Sequence, residues 1–170
     1  MAKTWKDSDI SIDPIKDQTI AIIGYGIQGD AQANNLKDSG LKVIIGLKEG
    51  GSSWGKAVSD GHEVMSVAEA CKMADIIHIL IPDMVQSQVY KNEIEPNLSE
   101  GNALAFSHAA AIYWGWIKAP DNVDIIMVAP KGPGSKVRET YLDGFGTPSI
   151  VAVEQDKTGT AWDRTLGIAK

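Results

Sequence analysis

Apolar residues in this chain come in short, dense, β-branched runs, spaced by longer stretches that mix alanine with polar residues. Residues 18–23 read Gln-Thr-Ile-Ala-Ile-Ile and stop at Gly24. A run without polar alternation suits a strand covered by helices on both faces. The stretch from Ile27 to Ser39 is Ala-rich, contains no Pro and ends at Ser39-Gly40, which predicts a helix with a glycine just past its end. Lys42-Val43-Ile44-Ile45-Gly46-Leu47 predicts a second strand. Ser66 with Glu69 in the capping-box position predicts a helix through Met73, and Asp75 to Ile81 predicts a third strand closed by Pro82. A helix through residues 83–92 should follow. Residues 102–106, 123–129 and 149–153 are further strands, separated by segments long enough for crossover helices, and Gly159 to Lys170 reads as a final helix.

Strands alternating with helices predict a parallel sheet. Because crossovers are right-handed, the economical architecture is α/β: a Rossmann-type, doubly wound, mostly parallel sheet with helices on both faces and a ligand crevice at the strand C-terminal ends. No internal boundary or repeat interrupts the pattern, so residues 1–170 are expected to form a single domain.

The first strand runs directly into Gly24-Tyr25-Gly26-Ile27-Gln28-Gly29, a full G-x-G-x-x-G that also opens the first helix. In that setting the first glycine permits a tight turn, the second lets a pyrophosphate approach the backbone, and the third lets helix and strand pack closely. The helix N-terminus adds unpaired N–H groups and a positive dipole. Three turn glycines without a ligand are the plainer alternative.

Cofactor choice is read at the end of the second strand, where a carboxylate would bind the ribose of NAD and repel the 2′-phosphate of NADP. Here the chain reads Leu47-Lys48-Glu49-Gly50-Gly51-Ser52-Ser53-Trp54. Lys48 can neutralise a phosphate, Ser52 and Ser53 can surround it, and Gly50 and Gly51 let the loop fold back, which favours NADP. Glu49 is close enough in sequence to serve as a ribose ligand instead.

Phe106-Ser107-His108 follows the fourth strand and Ala129-Pro130-Lys131-Gly132-Pro133-Gly134 the fifth. Histidine titrates near neutrality and lysine is a cation, so His108 and Lys131 suit a carbonyl or enolate oxygen. The plainer readings are a histidine satisfied at a helix N-terminus and a lysine in a proline-stiffened turn. His78 sits mid-strand and reads as structural, and His62 lies in a turn-like Asp60-Gly61-His62. Trp114 and Trp116 would most simply pack in the core; left unburied, they would mark a contact surface.

Sixteen Lys and Arg against twenty-two Asp and Glu leave a net charge of −6 with no basic run, no footprint for nucleic acid or an anionic membrane. The single cysteine, Cys71, cannot form an internal disulfide, and no apolar run approaches the ~18 residues of a membrane span. The expectation is a cytoplasmic protein with no metal site of its own and no nucleophilic triad.

These motifs together resemble the N-terminal domain of the ketol-acid reductoisomerase family, over nearly the whole chain. The resemblance is carried by the glycine turn, Gly46 to Gly50 with Ser53-Trp54, Leu80-Ile81-Pro82-Asp83, Tyr90 to Leu98, Phe106-Ser107-His108, Ala129 to Gly134, and Gly144-Phe145-Gly146 followed by Val153-Glu154-Gln155-Asp156. It implies isomerisation of a 2-hydroxy-2-acyl acid by a magnesium-assisted alkyl shift, then reduction of the keto product with NADPH, in branched-chain amino-acid synthesis. It further implies Gly24 to Gly29, Lys48, Ser52, Ser53, Pro82, Asp83, Gln86 and Gly134 as cofactor contacts and His108 with Lys131 as catalytic residues. Two departures are His108-Ala109-Ala110-Ala111, where His-Gly-Phe is usual, and Asp30, where a histidine is common. The family's magnesium carboxylates lie in an all-helical second domain with no counterpart here, so the chain alone is expected to be inactive, with a helical partner domain or a second copy as its company. A dinucleotide-binding module without turnover, sensing cofactor or pairing with another chain, is the alternative.

Overall fold

A computed structural model describes residues 3–170. Strands β1 (Thr19–Ile23), β2 (Lys42–Gly46), β3 (Glu63–Met65), β4 (Ile76–Ile79), β5 (Ala103–Phe106), β6 (Asp124–Pro130) and β7 (Ser149–Gln155) form one sheet in the order β3-β2-β1-β4-β5-β6-β7. Helices α1 (Ile27–Asp38), α2 (Trp54–Ser59), α3 (Val67–Met73), α4 (Asp83–Val89), α5 (Ala110–Tyr113), α6 (Gly134–Leu142) and α7 (Ala161–Ala169) connect and cover it. A π turn, Tyr90–Ile94, prolongs α4.

The unbroken apolar runs do what two-sided burial requires. Along β1, Ala21 and Ile23 enter one core with Val67, Ala70 and Cys71 of α3, while Ile20 and Ile22 enter the other with Ala33 and Leu36 of α1. The side-chain period of two thus divides one run between two helical layers. The predicted cap of α3 is present: Ser66 Oγ accepts from the Glu69 N–H at 3.3 Å and Glu69 Oε2 accepts from the Ser66 N–H at 3.1 Å.

The sheet is parallel from β3 through β6, but β7 pairs antiparallel with β6, Pro130 opposite Ser149. Regular alternation predicted another parallel strand. The excursion after β6 returns to the same end of the sheet instead, because Gly144 and Gly146, at φ 70 and 79, reverse the chain against the Thr140 carbonyl at the end of α6. Two elements had no prediction, α2 and the short edge strand β3. The long connection after β5 holds only the four-residue α5. Among the described residues no helix is long and apolar enough to cross a membrane.

Candidate functional site

The strand order reverses between β1 and β4, and such sheets bind ligands at that point, outside the strand carboxyl ends. Gly24 leaves β1 at φ 100, and a Cβ there would meet Ile81 Cγ2 at 2.7 Å. A Cβ on Gly29 would collide with the Gly24 carbonyl, so helix and strand pack as the motif predicts. On Gly26 it would meet nothing within 4 Å, and Gly26 and Ile27 are exposed. Gly26 caps α1 without a side-chain hydrogen bond, so the first-turn N–H groups of this twelve-residue helix face an open space. A pyrophosphate satisfies such a turn through backbone N–H groups and the dipole together.

After β2 the chain folds back, with the Gly51 N–H donating to the Lys48 carbonyl at 3.0 Å and Gly50 at φ 68. Lys48, Glu49 and Ser52 are exposed and Ser53 is half-buried. Among the described residues Lys48 enters no ion pair. Lys56, one helical turn further, is committed: its Nζ lies 2.8 Å from both Asp30 Oδ2 and Asp60 Oδ2. Those hydrogen bonds hold the ammonium pKa above its ordinary value and, with the Tyr25 hydroxyl, hold the Asp60 carboxyl below its own.

Tyr25 belongs to that cluster and not to the crevice. Its ring is 3% exposed, its hydroxyl donates to Asp60 Oδ2 at 2.8 Å and accepts from Asn34 Nδ2 at 3.0 Å. Burial, then the Asp60 bond, pushes its phenol well above the ordinary range. His62 is buried beside it, 3.1 Å from Asn34 Oδ1, with its pKa lowered by burial. The Tyr25 side chain, in a residue expected as a cofactor contact, thus fastens the C-terminal end of α2 to α1.

At the end of β4, exposed Pro82 caps α4 and Asp83 opens it. Gln86, expected as a cofactor contact, is 4% exposed and its Nε2 donates to the Ile81 carbonyl at 2.9 Å and Asp83 Oδ1 at 3.1 Å, bracing the loop from inside. Asp83 Oδ2 stands 3.6 Å from His108 Nδ1, longer than a hydrogen bond. That nitrogen accepts from the Ala110 N–H at 3.2 Å. Neutral His108 therefore carries its proton on Nε2, as assigned from its partners, and the side chain is 70% exposed. One nitrogen of His108 is thus tied to the start of α5, and the other has no hydrogen-bond partner among the described residues.

Lys131 leaves β6 exposed, its N–H donating to the Pro148 carbonyl at 2.9 Å. The next residues dock on the glycine turn. Gln28 Nε2 donates to the Gly132 carbonyl at 3.0 Å, and Gly134 is buried where a Cβ would strike the Ile27 carbonyl. Gly134, expected as a cofactor contact, lets α6 pack on α1. The structure brings together Asp83 with His108 and Gln28 with Gly132, and leaves Lys48, Ser52 and Ser53 apart at the end of β2. Sequence reasoning missed Asn34, Lys56 and Asp60, which carry no motif.

Tyr113, Trp114 and Trp116, after His108, are 76%, 66% and 48% exposed, contrary to simple core packing. Among the described residues no group of three or more His, Cys, Asp or Glu could hold a metal ion.

Residues 14–170 match the family model described as acetohydroxy acid isomeroreductase, NADPH-binding domain. Over all 170 residues the chain is 83% identical to the ketol-acid reductoisomerase (NADP(+)) of Nitrosopumilus maritimus and 58% identical to that of Methanocaldococcus jannaschii, covering 51% and 52% of them. The chain spans about half the length of the curated relatives it matches. A solved structure described as an NADH-preferring ketol-acid reductoisomerase from an uncultured archean aligns with TM-score 0.93 and 49% identity, over 95% of this chain and 50% of that one. A semialdehyde dehydrogenase NAD-binding protein from Cupriavidus necator, TM-score 0.72 at 22% identity over 91% of this chain and 59% of that one, shares the fold alone.

Proposed function

The chain belongs to the acetohydroxy acid isomeroreductase family, as its NADPH-binding domain, and from that premise we propose that it seats NADPH across the crevice between β1 and β4 and serves as the nucleotide-binding half of a ketol-acid reductoisomerase. The observation that carries this is the open, uncapped glycine turn at Gly24–Gly29 with an unpaired Lys48 one strand over. Backbone N–H groups from Gly26 to Gln28 hold the pyrophosphate, and Lys48, Ser52 and Ser53 hold the 2′-phosphate. Pro82 and Asp83 border the path toward the nicotinamide.

NADPH, when bound, supplies a hydride. His108, with its Nε2 proton free, donates to an oxygen of the 2-hydroxy-2-acyl acid, and the Lys131 ammonium stabilises negative charge developing there. The magnesium implied by the family needs a set of oxygen ligands, and the described residues hold no group that fits that ion. Those carboxylates are assigned to the remaining half of the relatives' length, with exposed Tyr113, Trp114 and Trp116 as the surface that meets it.

Calorimetry tests the nucleotide reading on the 170-residue polypeptide. Saturable NADPH binding, tighter than NADH, supports it. No binding of either nucleotide overturns it.

A further inference from the structure

A chain of side-chain hydrogen bonds runs beneath the crevice and touches the loops after β1, β5 and β6. Its centre is Gln32 of α1, 6% exposed. A buried amide is costly unless it finds partners, and Gln32 finds them in two directions. Its Nε2 donates to Gln28 Oε1 at 3.0 Å and to Ser107 Oγ at 3.1 Å. Gln28, in the glycine turn, donates onward to the Gly132 carbonyl, beside Lys131. Ser107, beside His108, lies 3.2 Å through its Oγ from His78 Nε2.

His78 is fully buried in β4, and its Nδ1 has no partner among the described residues. Burial pushes its pKa down to about 4, so it contributes a neutral ring near pH 7. Whichever nitrogen holds the proton, Nδ1 stays unpaired in the core, a cost that a hydrocarbon in this strand would avoid. What the imidazole provides in return is a fixed partner for Ser107. Meanwhile Gly134 packs on the Ile27 carbonyl, a second, backbone contact between the β6 loop and the glycine turn.

We propose that Gln32, with Ser107 and His78 behind it, is a positioning residue that sets the loops carrying His108 and Lys131 in register with the glycine turn, so that a pyrophosphate seated at Gly26–Gln28 orders both loops before any substrate arrives. This rests on the nucleotide reading above. Its content beyond that reading is the coupling: occupancy of the turn is felt at residues 107–110 and 131–132, which a pyrophosphate there does not touch.

The test uses 2′-phospho-ADP-ribose, which fills the turn and the Lys48 loop but has no nicotinamide to contact His108. Its binding to the 170-residue chain is measured by calorimetry, and backbone amide exchange is followed by mass spectrometry with and without it. In the unmodified protein, exchange at 107–110 and 131–132 should slow about tenfold along with that of 26–28. In Gln32→Leu the turn should still be protected while 107–110 exchange as in the free protein; the Lys131 loop, still joined to the turn by Gln28 and Gly134, should lose only the part of its protection that comes from Gln32 holding the Gln28 amide. Ser107→Ala, the second variant should the first fail to fold, should uncouple the His108 loop and leave the Lys131 loop coupled through Gln28. Binding without loop protection in the unmodified chain, or protection of 107–110 in a folded variant equal to that in the unmodified chain, overturns the inference and leaves the nucleotide reading intact. Failure of the fragment to bind the unmodified chain overturns the nucleotide reading, and the inference with it.

Discussion

Replacing Lys48 with glutamate is the sharpest perturbation of the proposed nucleotide selectivity. Of the two cations near the end of β2, Lys56 is held by two carboxylates at 2.8 Å each, whereas Lys48 is exposed and enters no ion pair among the described residues. Loss of one charge-assisted contact to a phosphate is worth roughly 1.5–3 kcal/mol, about 10- to 150-fold in affinity. Repulsion between the new carboxylate and a phosphate carrying close to two negative charges adds to this; two unit charges 4 Å apart interact by about 1 kcal/mol in water and about 4 kcal/mol near a protein surface. Because the site is open to solvent the lower figures apply, and the penalty should shrink as salt rises. NADH, lacking the 2′-phosphate, should change by less than about threefold. Calorimetry with both nucleotides, at low and high salt, measures each term. Equal weakening of NADPH and NADH, or tighter NADH binding by the unmodified chain, would assign the ribose to Glu49 and refute the reasoning. The outcome is open on fold alone, since the solved structure at TM-score 0.93 is described as NADH-preferring.

In a complete enzyme carrying this chain, His108→Ala and Lys131→Ala should each lower kcat by about 100-fold or more while NADPH affinity stays within about threefold, as steady-state kinetics beside calorimetry would show; near-normal turnover in both would return them to structural roles. Burial holds the His78 pKa at about 4 against an unperturbed 6.5, so the unfolded chain binds the extra proton and stability falls as pH drops from about 6.5 toward 4. Urea titrations should find about 2 kcal/mol less stability at pH 5 than at pH 7 from this residue, a slope that His78→Gln removes; an unchanged slope in a folded variant refutes it. Asp124, fully buried, accepts from Arg164 at 2.9 Å and from the Lys157 and Thr158 N–H groups at 2.8 and 3.0 Å. Asp124→Asn should therefore cost about 3–5 kcal/mol by the same titration, and a loss under about 1 kcal/mol would contradict that account.

The fold was legible where local chemistry and tertiary environment agree. The β1 run has no polar position because both its faces are covered, and Ser66 with Glu69 closes its capping box without help from elsewhere. The missed elements lack such signals. Residues 54–59 are six residues after a Gly/Ser loop, held by Lys56 to Asp30 across the sequence, and β3 is three residues at an edge. The direction of β7 is not encoded in its apolar residues at all; it follows from left-handed glycines at 144 and 146. Trp114 and Trp116 follow a four-residue helix too short to carry them into the core.

The site divides the same way. Backbone-driven features, the turn at Gly24–Gly29 and the loops at strand ends, can be read from spacing because glycine geometry and topology dictate them. Side-chain partnerships cannot, and Asp30 shows why. In sequence it is only a departure from the family's common histidine; in the structure it shares Lys56 with Asp60 and accepts from Asn34, which also holds Tyr25. That cluster holds one lysine and two carboxylates beside the loop after β2, leaving a negative charge in excess. Lys56 is thereby spent on joining α2 to α1, and the nearby positive charge free to meet a 2′-phosphate is Lys48. An aspartate that looks unrelated to the nucleotide thus decides which lysine can serve it, and Asp30→Asn, by loosening Lys56, should blunt the effect of losing Lys48 instead of adding to it.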